Sequence, residues 1–374
     1  MTVLAGVMGR KCYLNRGFYR IYPNLFTLLV AGSAKCRKST AIEIGMPFLE
    51  DIPGLLPERK GVLIIDGKIT PERFIRKIAN ESYHDPTDLR RRAPSIFVYA
   101  DELSVFLTKQ SYGEPLIHIL TRLFSCPDRF PYETESKGIA ELHDVFICIL
   151  AATTPDGVAK GIPESALQEG FASRLIVVFA DRSERSNAFP ELSPREHELR
   201  QWLRSIILDR ARLRGEFVLE PEARKWFIEW YDDTYRNEEP MDHRLAGMHG
   251  RKHDHVLRVG MLWAGSFGRT RIYIGDLEAA LAMIEKIEAT APRAFFEMGG
   301  DDNTIHLNRM MAIMRRFKII DHSTLLRKMY PCTADRVRLL IETGLQGGWL
   351  QRDPTKSTFY MFKDPAVDPH DMAR

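Results

Sequence analysis

The chain has 374 residues, 44% hydrophobic and 28% charged, which is ordinary for a globular protein and long enough for two or three packed domains. Its 53 basic and 50 acidic residues leave a net charge of +3, so bulk charge selects no partner and local placement has to do so. No apolar run reaches the ~18 residues of a membrane span, and Cys12, Cys36, Cys126, Cys148 and Cys332 show no C-x-x-C spacing. These features exclude a membrane span, a disulfide framework and a zinc ribbon, and predict a soluble cytoplasmic protein with reduced thiols.

In chain order, residues 1–24 form a lead-in that ends in Tyr22-Pro23-Asn24. Five short apolar runs follow, Leu25–Ala31, Gly61–Asp66, Ser95–Ala100, Val145–Ala151 and Leu175–Ala180, with helical stretches between them. Continuous apolar strands alternating with helices predict an α/β fold with a parallel five-stranded sheet over 25–181. Ligands of such sheets bind at the carboxyl ends of the strands. Residues 82–94 read as a polar surface connection and 182–196 as a linker. The pattern over 182–300 is helical, including Trp226–Tyr235 and Val256–Ala264. In 301–374 three helices, Ile305–Phe317, Ser323–Met329 and Ala334–Thr343, precede a hairpin with Trp349-Leu350-Gln351 facing Phe359-Tyr360-Met361. That order predicts a winged helix with a C-terminal tail.

The first strand leads into Gly32, Ser33, Ala34, Lys35, Cys36, Arg37, Lys38, Ser39 and Thr40, close to the phosphate-binding pattern G-x-x-x-x-G-K-[ST]. In such a loop backbone N–H groups and a helix N-terminus face the phosphates of ATP, the lysine neutralises them and the hydroxyl holds Mg²⁺. Arg37 occupies the position of the second glycine, which it can do only with a negative φ. The plainer reading is a basic strand-to-helix turn. The third strand runs out into Asp101 and Glu102. Asp101 is placed to hold Mg²⁺ through water and Glu102 to orient an attacking water. After the fourth strand come Thr153 and Thr154, either of which could join the γ-phosphate side to Glu102; the alternative is a helix cap. Arg174, before the fifth strand, would reach a neighbouring subunit's γ-phosphate in a ring, where such a residue is worth roughly 10³–10⁵ in rate.

Loop, Asp-Glu, Thr-Thr-Pro and Gly170-Phe171-Ala172-Ser173-Arg174 together resemble the AAA+ P-loop ATPases. The closest type is the phage and mobile-element ATPases that accompany primases, and more distantly the MCM-type helicases, which also lack glycine at the sixth loop position. The resemblance covers about 20–265 and lies in motif order. It implies that 182–300 is a helical lid in which Arg251, or failing it Arg258, contacts ATP phosphates. It also implies that the hairpin around Lys137 enters a central channel and grips single-stranded DNA. In the last unit Thr333 would cap the third helix. Arg336 and Arg338 would then lie on a recognition helix, with Arg352 and Lys356 on the wing.

The expectation is therefore an ATP- and Mg²⁺-dependent DNA helicase or translocase, a homo-hexameric ring acting in replication of a phage or mobile element, with a primase or other replication protein as partner. Alternatives are a DNA-bound loader or transposition regulator that does not unwind, and a nucleotide-insensitive winged-helix DNA-binding or scaffold protein.

Overall fold

The computed structural model describes residues 1–33, 36–50, 62–85, 88–107, 113–134, 138–162, 170–181, 183, 191–238, 245–295, 302–354, 356 and 358–362. Five strands form one parallel sheet: β1 (Phe26–Ala31), β2 (Val62–Asp66), β3 (Ser95–Ala100), β4 (Phe146–Thr153) and β5 (Leu175–Ala180), in the order β5-β1-β4-β3-β2. Each coincides with an expected apolar run to within two residues at either end. Strands buried on both faces carry uninterrupted apolar sequence, which makes them visible without knowledge of their neighbours. The central strand β4 is buried at all 8 positions and ends at Thr153, two residues beyond the expected end.

The lead-in is built into this fold. The helix Thr2–Met8 buries Ala5, Val7 and Met8. It lies so close to β3 that a side chain at Gly6 would come within 2.8 Å of Phe97. Cys12–Asn15 and Arg20–Ile21 then join Gly215–Leu219 and Arg271–Ile272 in a second, four-stranded sheet. Residues from both ends of the unit thus share one small sheet. Residues 83–92, expected as a plain connection, form a two-stranded hairpin of Tyr83–Asp85 with Asp88–Arg92. A second hairpin pairs Arg129–Thr134 with Gly138–His143. This is the hairpin expected around Lys137, but Lys137 itself lies outside the described residues.

Residues 1–295 form one compact unit and 296–374 a second. In the first, the helix Lys252–Ser266 buries Val256, Leu257, Val259, Met261 and Leu262 and packs along Ile274–Glu288. The second unit contains the helices Asp302–Phe317, His322–Met329 and Ala334–Gln346, followed by a hairpin of Leu350–Arg352 and Phe359–Phe362. Its register, Leu350 opposite Phe362 and Arg352 opposite Tyr360, lies two residues beyond a pairing of 349–351 with 359–361. A third strand, Ile319–Asp321, adds to the other edge of Phe359–Phe362. Three residues leaving a helix are too few to carry an alternation, so this strand is invisible to periodicity. Met310, Met314, Leu325, Val337, Leu340 and Ile341 form its core. Among the described residues no helix is long and apolar enough to cross a membrane.

Candidate functional site

The sheet order puts the tips of β1, β4 and β3 side by side, because β4 pairs with both neighbours. Each tip carries one of the predicted motifs. At the β1 tip, Gly32 and Ser33 lead toward the helix Lys38–Gly45; Ala34 and Lys35 lie outside the described residues. Cys36 Sγ is 3.7 Å from the Ala180 carbonyl at the end of β5. Lys38 Nζ donates to the carbonyls of Ala31 (2.6 Å) and Gly32 (3.3 Å), so the ammonium sits directly on the strand end. Ser39 and Thr40 are exposed in the first helical turn.

Arg37 departs from the sequence expectation. Its φ is 47° and ψ 45°, a left-handed residue at the N-cap of the helix. The reading that arginine needs a negative φ here is therefore corrected: the backbone keeps the geometry that favours glycine, and Arg37 adopts it. A left-handed non-glycine residue costs roughly 1–2 kcal/mol, and such strain concentrates at functional loops.

At the β3 tip Asp101 is exposed and Glu102 half-buried. The Tyr99 hydroxyl pKa is raised, first by burial and then by the negative charge of Asp101, Glu43 and Asp66. Glu43, four residues after Ser39, shares a face of the helix Lys38–Gly45 with it. At the β4 tip the two threonines separate. Thr153, fully buried, donates its hydroxyl to Glu102 Oε1 at 2.5 Å. Thr154 instead caps the helix Pro155–Gly161, accepting from the Gly157 N–H at 3.0 Å. The expected join to Glu102 thus belongs to Thr153, and Thr154 fits the cap alternative. Gly157, which sequence reading missed, makes room for the pair: a Cβ there would overlap Thr153 Oγ1 and lie 2.9 Å from Glu102 Oε1. The one sequence signal is a glycine in the first turn of a helix, where it is a poor former.

The predicted arginines lie at the opposite, amino-terminal end of the strands. Arg174 ends a short 3₁₀ turn directly before β5. Because Leu175 pairs with Phe26 and Ala180 with Ala31, Arg174 is a strand's length, roughly 17 Å, from the loop of its own chain. Its guanidinium bonds the Gly170 carbonyl and stands 5.8 Å from the Phe124 ring centroid, while Nε has no hydrogen-bond partner among the described residues. Burial, followed by the nearby Arg251 and Arg258 cations, lowers its pKa to about 10. Arg251, the N-cap of the helix Lys252–Ser266, donates to Ser173 Oγ at 3.0 Å and pairs with Asp254 at 3.8 Å. Arg251 and Arg174 therefore share one face.

Arg258 does not fit a phosphate contact. It is 5% exposed, donates to the carbonyls of Tyr22 (2.6 Å) and Asn24 (3.4 Å) and to the Asn24 side chain, and stacks 4.4 Å from the Phe124 centroid. Its pKa is lowered by burial. It pins the start of β1 and has no free face for a ligand, which corrects its assignment as a fallback nucleotide contact. Beside it His255 Nε2 donates to the Ser173 carbonyl, 3.1 Å away. Burial pushes this imidazole down to about 4, so it is neutral near pH 7 and acts there as donor.

In the second unit Thr333 caps the helix Ala334–Gln346 through the Arg336 N–H at 3.4 Å. Arg338, Arg352 and Lys356 are exposed and Arg336 is half-buried. Arg338 lies 3.3 Å from Asp335, and Lys356 stands over the Phe359 ring.

Compared with known proteins, the chain matches no protein-family model and no curated sequence.

Two predictions follow from this geometry. Arg37→Gly relieves the left-handed strain and raises the unfolding free energy by about 0.5–1 kcal/mol, measured by urea denaturation. His255 binds no proton in the folded state until pH about 4, whereas the unfolded chain protonates it near its ordinary 6.5. Stability is therefore lost as pH falls through that window, by about 2–3 kcal/mol. In His255→Gln this part of the pH dependence disappears, as read from urea midpoints at the two ends of the window.

Proposed function

We propose that the chain is an AAA+-type ATP hydrolase that assembles as a ring on DNA and moves along it, with the second unit acting as a winged helix. The observation that carries the ATPase part is the Thr153–Glu102 hydrogen bond of 2.5 Å between the tips of β4 and β3, next to the strand whose end holds Lys38. A lysine, a carboxylate pair and a buried hydroxyl gathered at adjacent carboxyl ends match what phosphoryl transfer needs: charge neutralisation, a water-orienting group and a contact able to register the γ-phosphate.

In this reading Lys38 releases the strand-end carbonyls to bind β- and γ-phosphate, and the backbone from Gly32 to Thr40 faces the phosphates. Ser39 and Asp101 would hold Mg²⁺, a cation that typically uses one or two carboxylates and completes its shell with phosphate and water. The exposed hydroxyl and carboxylate, after the two strands that flank β4, fit that demand. Glu102 positions the attacking water and Thr153 holds the carboxylate's orientation. Arg174 and Arg251 cannot reach the loop of their own chain, so they serve a nucleotide held by another copy. Their surplus of positive charge, with Asp254 the acid against them, supports an anion arriving there. DNA contact by Lys137 in the channel, and by Arg336, Arg338, Arg352 and Lys356 in the second unit, completes the proposal.

Glu102→Gln lowers the ATP turnover rate by roughly 10²–10⁴-fold with nucleotide binding retained, read by phosphate release and by titration with a fluorescent ATP analogue. Unchanged turnover would falsify the site. Arg174→Ala is expected to be as inactive as Glu102→Gln, yet an equal mixture of the two regains activity, since roughly a quarter of all interfaces in randomly mixed rings carry both intact groups. A mixture with no more activity than its parts counts against a shared site.

A further inference from the structure

The turn between Cys12–Asn15 and Arg20–Ile21 has chemistry that none of the roles above uses. Its tip reads Arg16-Gly17-Phe18-Tyr19-Arg20. Phe18 is 106% exposed, the highest value among the large apolar side chains of the described residues, and Tyr19 is 52% exposed. The tip is rigidly built. Gly17 takes φ 76° and its N–H bonds Asn15 Oδ1 at 3.2 Å, while Arg16 N–H bonds the Tyr19 carbonyl at 2.9 Å. Arg16 is anchored to Asp254 at 3.6 Å, so the aromatic pair is held outward on a fixed base.

Cations flank this turn and its strands. Residues 10–20 contain Arg10, Lys11, Arg16 and Arg20 and no acidic residue. Arg10 pairs with Asp128 and Asp144, and Arg16 with Asp254. Arg20 is exposed at the turn, and Lys11, Arg212 and Arg214 are exposed at the other end of the strand pair, where Cys12 faces Gly215. Arg20 lies over the Tyr13 ring at 4.6 Å, and Glu216, opposite Tyr13 in the register, is the acid on this strand face. Exposed aromatics interleaved with cations are what a single strand of nucleic acid meets: ring faces stack on bases and cations track phosphates, without reading sequence.

We infer that the Arg16–Arg20 hairpin and the adjoining strand face bind single-stranded nucleic acid, with Phe18 stacking on a base and Arg20 contacting a phosphate. The binding does not depend on the nucleotide site, so it stands or falls separately from ATP hydrolysis.

The test is fluorescence anisotropy of a labelled oligothymidylate across a salt series, without ATP. Phe18→Ala weakens binding by roughly 5- to 150-fold, the loss of one stacked base, and Phe18→Trp restores it. Arg20→Ala reduces the slope of log affinity against log salt by about 0.7, the loss of one single-strand phosphate contact. Phe18 and Arg20 are exposed, so circular dichroism and melting temperature stay at parental values. The inference is overturned if the parent chain does not bind the oligonucleotide, or if the variants bind with parental affinity and slope. It is equally overturned if Phe18→Ala changes the sedimentation of the protein while oligonucleotide binding is unchanged, since the tip would then dock on another polypeptide.

Discussion

Everything at the candidate site depends on the register of β4. This strand is buried along its whole length and pairs with β1 on one edge and β3 on the other. A strand in that position has little freedom to slip, because a shift would break its hydrogen-bond ladders on both sides and mispack side chains on both buried faces. Its last residue, Thr153, is therefore delivered to a fixed height beside Glu102. The short hydrogen bond between them is possible because Gly157 leaves the space open. A buried hydroxyl that donates to a carboxylate is worth more than a neutral pair. It also defines the direction in which the second carboxylate oxygen points.

The amino end of the sheet solves a different physical problem, that of keeping several guanidinium groups close together. Arg258 does so by burial against the carbonyl groups of Tyr22 and Asn24 and the face of Phe124, partners that take one terminal nitrogen without a countercharge. Arg251 has Asp254 and the Ser173 hydroxyl. Arg174 has one carbonyl and a distant ring. Among the described residues the Nε of Arg174 and the Nε of Arg258 both have no hydrogen-bond partner.

The strands were legible in the sequence because double-sided burial leaves an uninterrupted apolar run, and Leu175–Ala180 or Ser95–Ala100 need no knowledge of partners to be recognised. The loop, Asp-Glu and Thr-Thr motifs were legible because each sits at a strand exit, and Ser173-Arg174 because it sits at a strand entrance. Strand order was not, since it depends on contacts between segments far apart in the chain. For the same reason the pairing of Cys12–Asn15 with Gly215–Leu219 went unseen, and residues 1–24 read as a lead-in. Thr153 and Thr154 could not be told apart by type: the difference is one residue of strand length, which directs one side chain to Glu102 and the other to a helix cap. Arg37 was judged by the wrong criterion. Its residue type argues for negative φ, but the requirement of the strand-to-helix turn outweighs roughly 1–2 kcal/mol of left-handed strain. Arg251 and Arg258, seven residues apart on one helix, also differ in a way that spacing cannot show: one reaches the surface beside Ser173, and the other points into the base of β1.

That last contact links the two ends of the sheet. β1 begins next to Asn24, which Arg258 holds, and ends at Ala31, whose carbonyl holds Lys38. It is hydrogen-bonded along both sides, to β5 and β4, so it acts as a strut of fixed length. Arg174, tied to the first residue of β5, cannot be brought to the loop of its own chain without breaking the pairing of β5 with β1. Under the proposed reading the arginine would come from a second copy, and hydrolysis would be a property of the contact between copies. The strand that carries the candidate loop would then also be the element that keeps Arg174 of the same chain away from it.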